Sequence, residues 1–548
     1  MKLREIFNYK VLIFSIVMWA IFLFSGVQDY YFYDFELLNE TQKLVCISCK
    51  ILNIAFIHII SLVFYHMLKN RKNAETRKRI AITLSYFAII MLVLVLIWPG
   101  AWSWDDVWIV SDAQYYFLTP WQHFFSGLLH VLCLQLIPIP TGVLIIQSLL
   151  ASFIVGYCVT KLSSLAPTLK SRLVLTIILF VMLLSPPLVV YILTGFRMGF
   201  YSYLELLLVT KVFILFKQGT KATLTDLMAV CVLTIIVGSW RTEAIYYPVA
   251  MFFILWIMGK NIITFKRVVI VSLCSMLAIL GIGKYNTHLV GNNNYSLTAT
   301  VAIVAELVRV ANESDQEELA LIDKVMDVEY ILNNSQKTGE QCYWSGGVVS
   351  DYSEEDYSGY ISAFVKLCVK YPLVALKTAT DIFIQTGSGV YYNGIIRAVL
   401  RNDIYDGINE ASLRWMLLDN TSALNEELRN NTLHLLSGLD DDFKPNLIYF
   451  FGWNLFIPLI TIIALLIYKL VKKEFFMVLL LLTILGRVPL VFVTSSAPYF
   501  MYYLSTYVCI SIFGSVFIFE LVLKLLENKK ATQGSVDKKP KSVKKGEG

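Results

Sequence analysis

Long apolar runs, interrupted by short stretches rich in Lys and Arg, make up most of the chain. A hydrocarbon core of ~30 Å is crossed by a helix of ~20 apolar residues, so each such run predicts one span. Counting them gives about twelve spans, near residues 11–27, 46–68, 80–99, 141–160, 173–194, 199–217, 226–240, 244–258, 268–283, 447–468, 475–495 and 500–523. The expected fold class is all-α, a polytopic transmembrane helical protein. Two segments leave the pattern, residues 100–140 and 284–446.

In the first of these, Trp121 to His130 places apolar residues at helical spacing. It is too short and polar to span and is suited to lying in the interface. In the second, Ser296 to Arg309 and Glu317 to Leu332 read as helices with one apolar side. Tyr360 to Phe383 reads as a third helix interrupted at Pro372, and Gln341 to Tyr357 as loop. Strand signals are few and no internal repeat is visible. The expected organisation is two N-terminal spans with a basic loop (1–79), a membrane core with its outer loop (80–283), a mostly helical outer insert (284–446), three closing spans (447–523) and a disordered basic tail (524–548) that touches anionic headgroups.

Charge gives these elements a direction. Lys and Arg are retained on the cytoplasmic side of short loops, and they fall at Lys2, Arg4 and Lys10, at Lys69 to Arg79, at Lys161 to Arg172, at Lys260 to Arg267 and at Lys469 to Lys473. None occurs between Arg79 and Lys161. Residues 100–140 and the insert, richer in Asp and Glu, are therefore expected outside and both termini inside. The net charge of +6 is spread over inner loops and a tail, which argues against nucleic acid as a partner. The first apolar run lacks a small-residue cleavage site and reads as an uncleaved span. Cys46 and Cys49 lie in an apolar run with no βαβ context and read as ordinary membrane cysteines. Cys342, taken as the cysteine of the outer domain, provides no disulfide framework.

The chemistry concentrates in Pro99-Gly100-Ala101-Trp102-Ser103-Trp104-Asp105-Asp106-Val107-Trp108. Adjacent carboxylates among tryptophans at a membrane surface suit general-base work, because partial dehydration raises a carboxyl pKa; the alternative is that both are merely solvated. Asp105, Asp106 or Asp112 with His123 supply ligands that suit Mg or Mn, without a fixed ligand spacing. Arg197, Arg241 and Arg487 sit in apolar surroundings, the first two at outer span ends and Arg487 within a span. Guanidinium groups there can grip a lipid phosphate bidentately; the alternatives are an ion pair such as Arg241 with Glu243, or snorkelling. His123 and His130, seven apart on the interfacial helix, would share a face. Tyr499, in Ala497-Pro498-Tyr499-Phe500-Met501-Tyr502-Tyr503, belongs to an aromatic belt or lines a sugar groove.

On these residues the chain resembles the GT-C class of polytopic glycosyltransferases. The resemblance rests on the outer loop with Trp104-Asp105-Asp106 and Gln114, on Pro120-Trp121-Gln122-His123, on Arg241-Thr242-Glu243, and on Arg487-Val488-Pro489 followed by Ala497-Pro498-Tyr499. It implies an inverting transfer of a sugar from a polyprenyl-phosphate carrier to a glycan or glycolipid acceptor on the outer face. Asp105 or Asp106 would be the base and Arg241, Arg197 and Arg487 would hold the donor phosphate. Asp112, Gln114, His123, Glu243 and Tyr499 would contact donor or acceptor. Two spans precede the usual first one, and the outer domain is inserted before the last three spans. That leaves bacterial cell-envelope transferases, which act in polysaccharide biosynthesis at the plasma membrane, as the nearest likeness.

Other readings remain open on sequence. A transporter or flippase of lipid-linked saccharides would also have about twelve spans, though it would gather polar groups at the midplane. A polymerase or ligase using a diphosphate carrier is a second. A scaffold is a third, opposed by the cost of the embedded arginines.

Overall fold

The computed structural model describes residues 8–290, 294–390, 423–440, 442 and 444–536. Lys2, Arg4, the middle of the insert at 391–422, Asp441 and the end of the tail lie outside the described residues. What is described is helical, without a β-strand; the isolated bridges are Met326 with Val348, Ser388 with Asn454 and Leu439 with Pro445.

The N-terminal half holds α1 (Tyr9–Phe24), α2 (Glu40–Lys69), α3 (Ala74–Leu96), α4 (Trp104–Gln114), α5 (Phe124–Leu134), α6 (Pro140–Ser163), α7 (Leu169–Leu183), α8 (Pro186–Ile192), α9 (Arg197–Gln218), α10 (Leu224–Trp240), α11 (Tyr247–Ile257) and α12 (Phe265–Val290). The insert contributes α13 (Val301–Val310), α14 (Gln316–Asp323), α15 (Val328–Asn333), α16 (Gly339–Trp344), α17 (Glu354–Lys370), α18 (Pro372–Gly387) and α19 (Glu426–Ser437). The chain closes with α20 (Leu447–Gly452), α21 (Phe456–Val471), α22 (Phe475–Leu485), α23 (Arg487–Thr494) and α24 (Leu504–Val536). Polar residues start these helices where the sequence places them. Asn39 with Gln42, Thr168 with Ser171 and Thr223 with Asp226 form reciprocal capping boxes, each satisfying backbone donors that the first turn leaves open.

Among the described residues, seven helices are long and apolar enough to cross a bilayer, or nine if two bent pairs each count as one span. The twelve expected runs are thus matched only in part. The runs at 11–27, 226–240, 244–258 and 447–468 become helices of no more than 17 residues, about 26 Å at 1.5 Å per residue and short of a full hydrocarbon core. The run at 173–194 breaks by 58° between α7 and α8, ahead of Pro186.

Burial sorts the spans. In α6 and α9, 78% of the most apolar stretch is enclosed, against 22–28% in α2, α3 and α12. The first two form the centre, and the others turn residues such as Leu84, Leu92, Leu273 and Leu277 outward, as lipid-facing helices do. At the α3–α6 crossing, a Cβ on Gly156 would lie 2.0 Å from Thr83 Oγ1, so the helices touch through a residue without a side chain.

The two ends of the bundle differ in charge. At one end, Lys161 pairs with Glu75 (2.6 Å), Lys211 with Asp226 (2.5 Å) and Lys217 with Glu520 (2.9 Å). At the other lie α4, α5 and the insert. The insert has its own core, built from Val301, Val304, Leu307, Ile322, Met326, Ile331, Tyr360 and Leu367. It docks on the bundle through Phe383 against Phe456, Phe492 and Tyr503, and through the Leu455 amide donating to the Gly387 carbonyl at 2.8 Å.

Several boundaries move. The helix expected at 268–283 runs on to Val290, so the insert starts later than residue 284. Glu317 to Leu332 is two helices, parted where Met326 and Asp327 pair with the Gly347–Val348 segment. Ser296 to Arg309 divides into a 3-10 turn and α13, and α16 and the start of α17 occupy parts of the expected loop at 341–357. The interruption at Pro372 is a 98° bend between α17 and α18. The tail is helical to Val536, where disorder was expected from residue 524. Cys368 joins Cys342 in the insert, and both are free thiols.

Candidate functional site

Ser103 opens α4, and the two carboxylates that follow fall in its first turn, where the helix dipole favours negative charge. Their environments differ. Asp106 is fully buried, and its Oδ2 accepts from the Ser103 amide at 3.2 Å in a capping box. Burial first, then the neighbouring Asp105 charge, push its carboxyl well above the usual range. Asp106 shares a closed nest with Trp102 and His130 around Gly195, where a Cβ would stand 2.9 Å from Trp102, 3.1 Å from Asp106 and 3.3 Å from His130 Nε2.

Asp105 is half-buried, and its Oδ2 accepts from Gln122 Nε2 at 3.0 Å. Burial raises its pKa, while the Arg197 charge and the Gln122 hydrogen bond act in the opposite sense. Arg197, the first residue of α9, donates to the Gln122 carbonyl, so one glutamine connects the acid to the cation. The connection from α4 to α5 that brings Gln122 there is bent tightly. Tyr116, Thr119 and His123 all have positive φ, at 55°, 47° and 72°, in a region that costs a non-glycine residue about 1–3 kcal/mol and tends to mark functional positions. Asn286 of α12 holds this turn, accepting from the Phe124 amide at 3.0 Å and donating to the Pro120 carbonyl at 3.2 Å.

His123 is neutral here. Burial, then the nearby Arg197 charge, lower its pKa to about 3. Its Nδ1 accepts from the Phe125 amide at 3.3 Å, which puts the proton on Nε2, a buried donor with no protein partner. His123 caps α5 and does not lie on it, so it does not share a helical face with His130. Asp112, raised by burial to about 6, accepts from Thr119 Oγ1 at 3.0 Å and braces the strained turn. Gln114 faces away from the acids and donates to the Tyr31 carbonyl at 3.3 Å.

A wall of the site comes from the insert. Tyr499 donates to Glu340 of α16 at 2.6 Å. Glu340 is raised by burial, lowered by Tyr499 and raised again by the Asp105 charge, which places a third carboxyl beside the outer-loop pair. Glu340 was missed on sequence because nothing in an acidic insert distinguishes one glutamate from its neighbours. Gln122 was within reach, since it precedes His123 in a quoted motif.

The remaining arginines are committed elsewhere. Arg241 ends α10 and makes a two-point ion pair with Glu243, its Nε donating at 3.0 Å; its guanidinium lies 5.9 Å from the Tyr502 ring. Burial opposes ionisation of Glu243, but Arg241 and Arg487 outweigh it and bring the carboxyl down to about 2. This is the ion pair that sequence left as the alternative to phosphate binding. Arg487 is fully buried, 3.4 Å from Glu205 and bonded to Tyr201 (2.5 Å) and Ser505. It serves an internal network of α9, α23 and α24, which corrects its expected place at the donor phosphate. Among the described residues no three of His, Cys, Asp and Glu come together closely enough to hold a metal ion, so Asp105, Asp106, Asp112 and His123 do not form a cage for Mg or Mn.

No family model, no curated protein and no solved structure matches the chain.

Proposed function

We propose that the protein is an inverting membrane glycosyltransferase of GT-C-like architecture, moving a sugar from a polyprenyl-phosphate donor to a glycan or glycolipid acceptor. In this reading the chain has twelve spans, the shorter helices tilting little or thinning the bilayer. Both termini face the cytoplasm of a bacterial cell, and the acids with the insert face outward at the plasma membrane.

The observation that carries the reading is the half-buried Asp105, basic for a carboxylate, beside Arg197 and under the Glu340–Tyr499 wall. Asp105 takes the proton of the acceptor hydroxyl. That oxygen attacks the anomeric carbon from the face opposite the phosphate, the carbon–oxygen bond to phosphate breaks, and its electron pair leaves on the phosphate. Displacement from the opposite face inverts the anomeric centre. Arg197 is the cation assigned to the departing phosphate, a role of several kcal/mol in a site that excludes water. Asp106 orders the helix start that aims Asp105, and His123 Nε2–H supplies a neutral donor.

The test is transfer of labelled sugar from a panel of polyprenyl-phosphate sugars in proteoliposomes, comparing the intact protein with Asp105→Asn and Arg197→Met. Turnover by the intact protein that is lost in Asp105→Asn with donor binding retained supports the assignment. Movement of lipid-linked sugar between leaflets without transfer overturns it in favour of a transporter.

A further inference from the structure

At the end of the bundle away from Asp105, two cavities meet. The first, about 500 Å³, is apolar and runs between α2, α5, α6, α9 and α10, from Phe125, Leu129 and Trp240 on the Asp105 side past Val63, Phe153 and Leu207. The second, about 450 Å³, is polar and lies among the basic loops, bordered by Asn70, Asn73 and Gln218 and by the charged Glu75, Lys161, Lys211 and Asp226. Arg79 and Tyr157 line both, with the guanidinium 5.4 Å from the centre of the Tyr157 ring. Each volume is within the range of about 300–1,000 Å³ usual for small-molecule sites. Together they have the shape of a lipid, an apolar channel leading to a hydrogen-bonding chamber.

The charges identify the headgroup. Lys161 is neutralised by Glu75 at 2.6 Å and Lys211 by Asp226 at 2.5 Å. Arg79 has no ion pair or hydrogen bond within the described residues, and its Nε is buried without a partner. Glu75 attracts Arg79 from beyond ion-pair distance while bonded to Lys161, so Arg79, Lys161 and Lys211 against Glu75 and Asp226 leave the chamber one positive charge in excess. A cation held at the edge of an apolar cavity without a direct partner is a place where an anion can bind. Thr160, 2% exposed and also lining the polar chamber, likewise leaves its Oγ1 unbonded. One uncompensated positive charge fits a phosphate diester better than a doubly charged monoester, and the amide and hydroxyl lining fits a headgroup that carries hydroxyls.

We propose that this double cavity is a binding site for an anionic glycerophospholipid with a hydroxylated headgroup, its phosphate on Arg79, its headgroup among Asn70, Asn73, Thr160 and Gln218, and one acyl chain in the apolar channel. The second chain lies along the open side of the channel in the bilayer. The headgroup chamber lies at the end opposite Asp105, and the channel leads from it up to Phe125, Leu128 and Trp240 beneath the Asp105 site; the proposal needs no sugar transfer.

The experiment is lipid analysis by mass spectrometry of the full-length protein, extracted from membranes and washed in detergent, alongside Arg79→Met, Arg79→Lys, Leu129→Trp and Arg77→Met. The intact protein, Arg79→Lys and Arg77→Met are expected to retain phosphatidylglycerol near one per chain. Arg79→Met and Leu129→Trp should lose it at least tenfold, the latter by filling the channel without altering charge, which keeps the test decisive if Arg79→Met fails to fold. Equal retention in Leu129→Trp and the intact protein would overturn the proposal. So would preferential retention of zwitterionic lipid, or of a polyprenyl phosphate in an Arg79-dependent manner.

Discussion

Asp105 and Asp106 occupy the same helical turn, yet one is half-exposed beside a cation and the other is sealed under a capping bond. Asp105→Asn should therefore lower kcat by about 10²–10⁴-fold, the usual weight of a general base, with an unchanged melting curve. Asp106→Ala should do the reverse, losing about 0.5–2 kcal/mol with the cap and showing it in thermal unfolding. The pH profile gives a second check. A base must be ionised, so turnover rises with pH through the raised Asp105 pKa, above the ordinary carboxylate range. Arg197→Met removes a charge that favours the ionised form, so the acid limb should move to higher pH; a limb that stays still would remove Arg197 from the site. Arg241 behaves differently. Arg241→Ala strands Glu243 in a buried position and should cost about 3–5 kcal/mol, whereas Arg241→Met with Glu243→Met should restore most of the stability. If that double variant keeps its turnover, Arg241 is structural and not a phosphate ligand. The acids and arginines were legible in the sequence because ionisable residues among apolar ones stand out. The partner of Arg241 was legible too, two residues on at Glu243, but Glu205 with Arg487 and Glu340 with Tyr499 were not, because they are far apart along the chain and meet only through packing.

At the scale of elements, α16 decides whether the insert reaches the site. A Cβ on Gly339 would come within 2.2 Å of the Val301 carbonyl oxygen, so α16 lies directly on the start of α13 and Glu340 follows at its first turn. Gly339→Ala should push this helix away, costing about 1–3 kcal/mol as overpacking does. Glu340→Ala should leave the fold intact and raise KM for the acceptor about tenfold, the weight of one charge-assisted hydrogen bond, with a smaller change in kcat. The reverse split would make Glu340 part of the chemical step. In the insert, α13 and α18 and most of α17 were legible from their apolar periodicity, and the bend at Pro372 from the proline itself, whereas α16 is too short to show a period and fell in the stretch read as loop. The α4 helix was not, since Trp104 to Gln114 mixes apolar and acidic residues without a clear period, and only the Ser103–Asp106 box announces its start. Nor does any residue type forecast the positive φ at Tyr116, Thr119 and His123, which Asn286 and Asp112 hold from outside the turn.

Across the whole molecule, the parity of crossings matters more than their number. The α10 and α11 helices are each short of a full span, yet the Ala222 amide before α10 donates to the Ile262 carbonyl after α11 at 2.9 Å. The chain therefore leaves one end of the bundle and returns to it, however deep the turn at Arg241 lies, and this pair adds an even count. The break between α7 and α8 does not reverse the chain, because Lys161 precedes it on the basic end while the Ala101 amide bonds the Leu193 carbonyl at the other. The basic loops and the insert should then lie on opposite sides of the membrane. Cysteines introduced as Lys72→Cys and Lys324→Cys, with the exposed Cys274 replaced, test this in sealed vesicles with an impermeant maleimide. Lys324→Cys should label only from the face that carries the insert, and Lys72→Cys only after the vesicles are opened to the other face. Labelling of both from one face would mean that one of the crossings between them is absent, and the acids at Asp105 and Asp106 could no longer be placed with the insert on an outer surface.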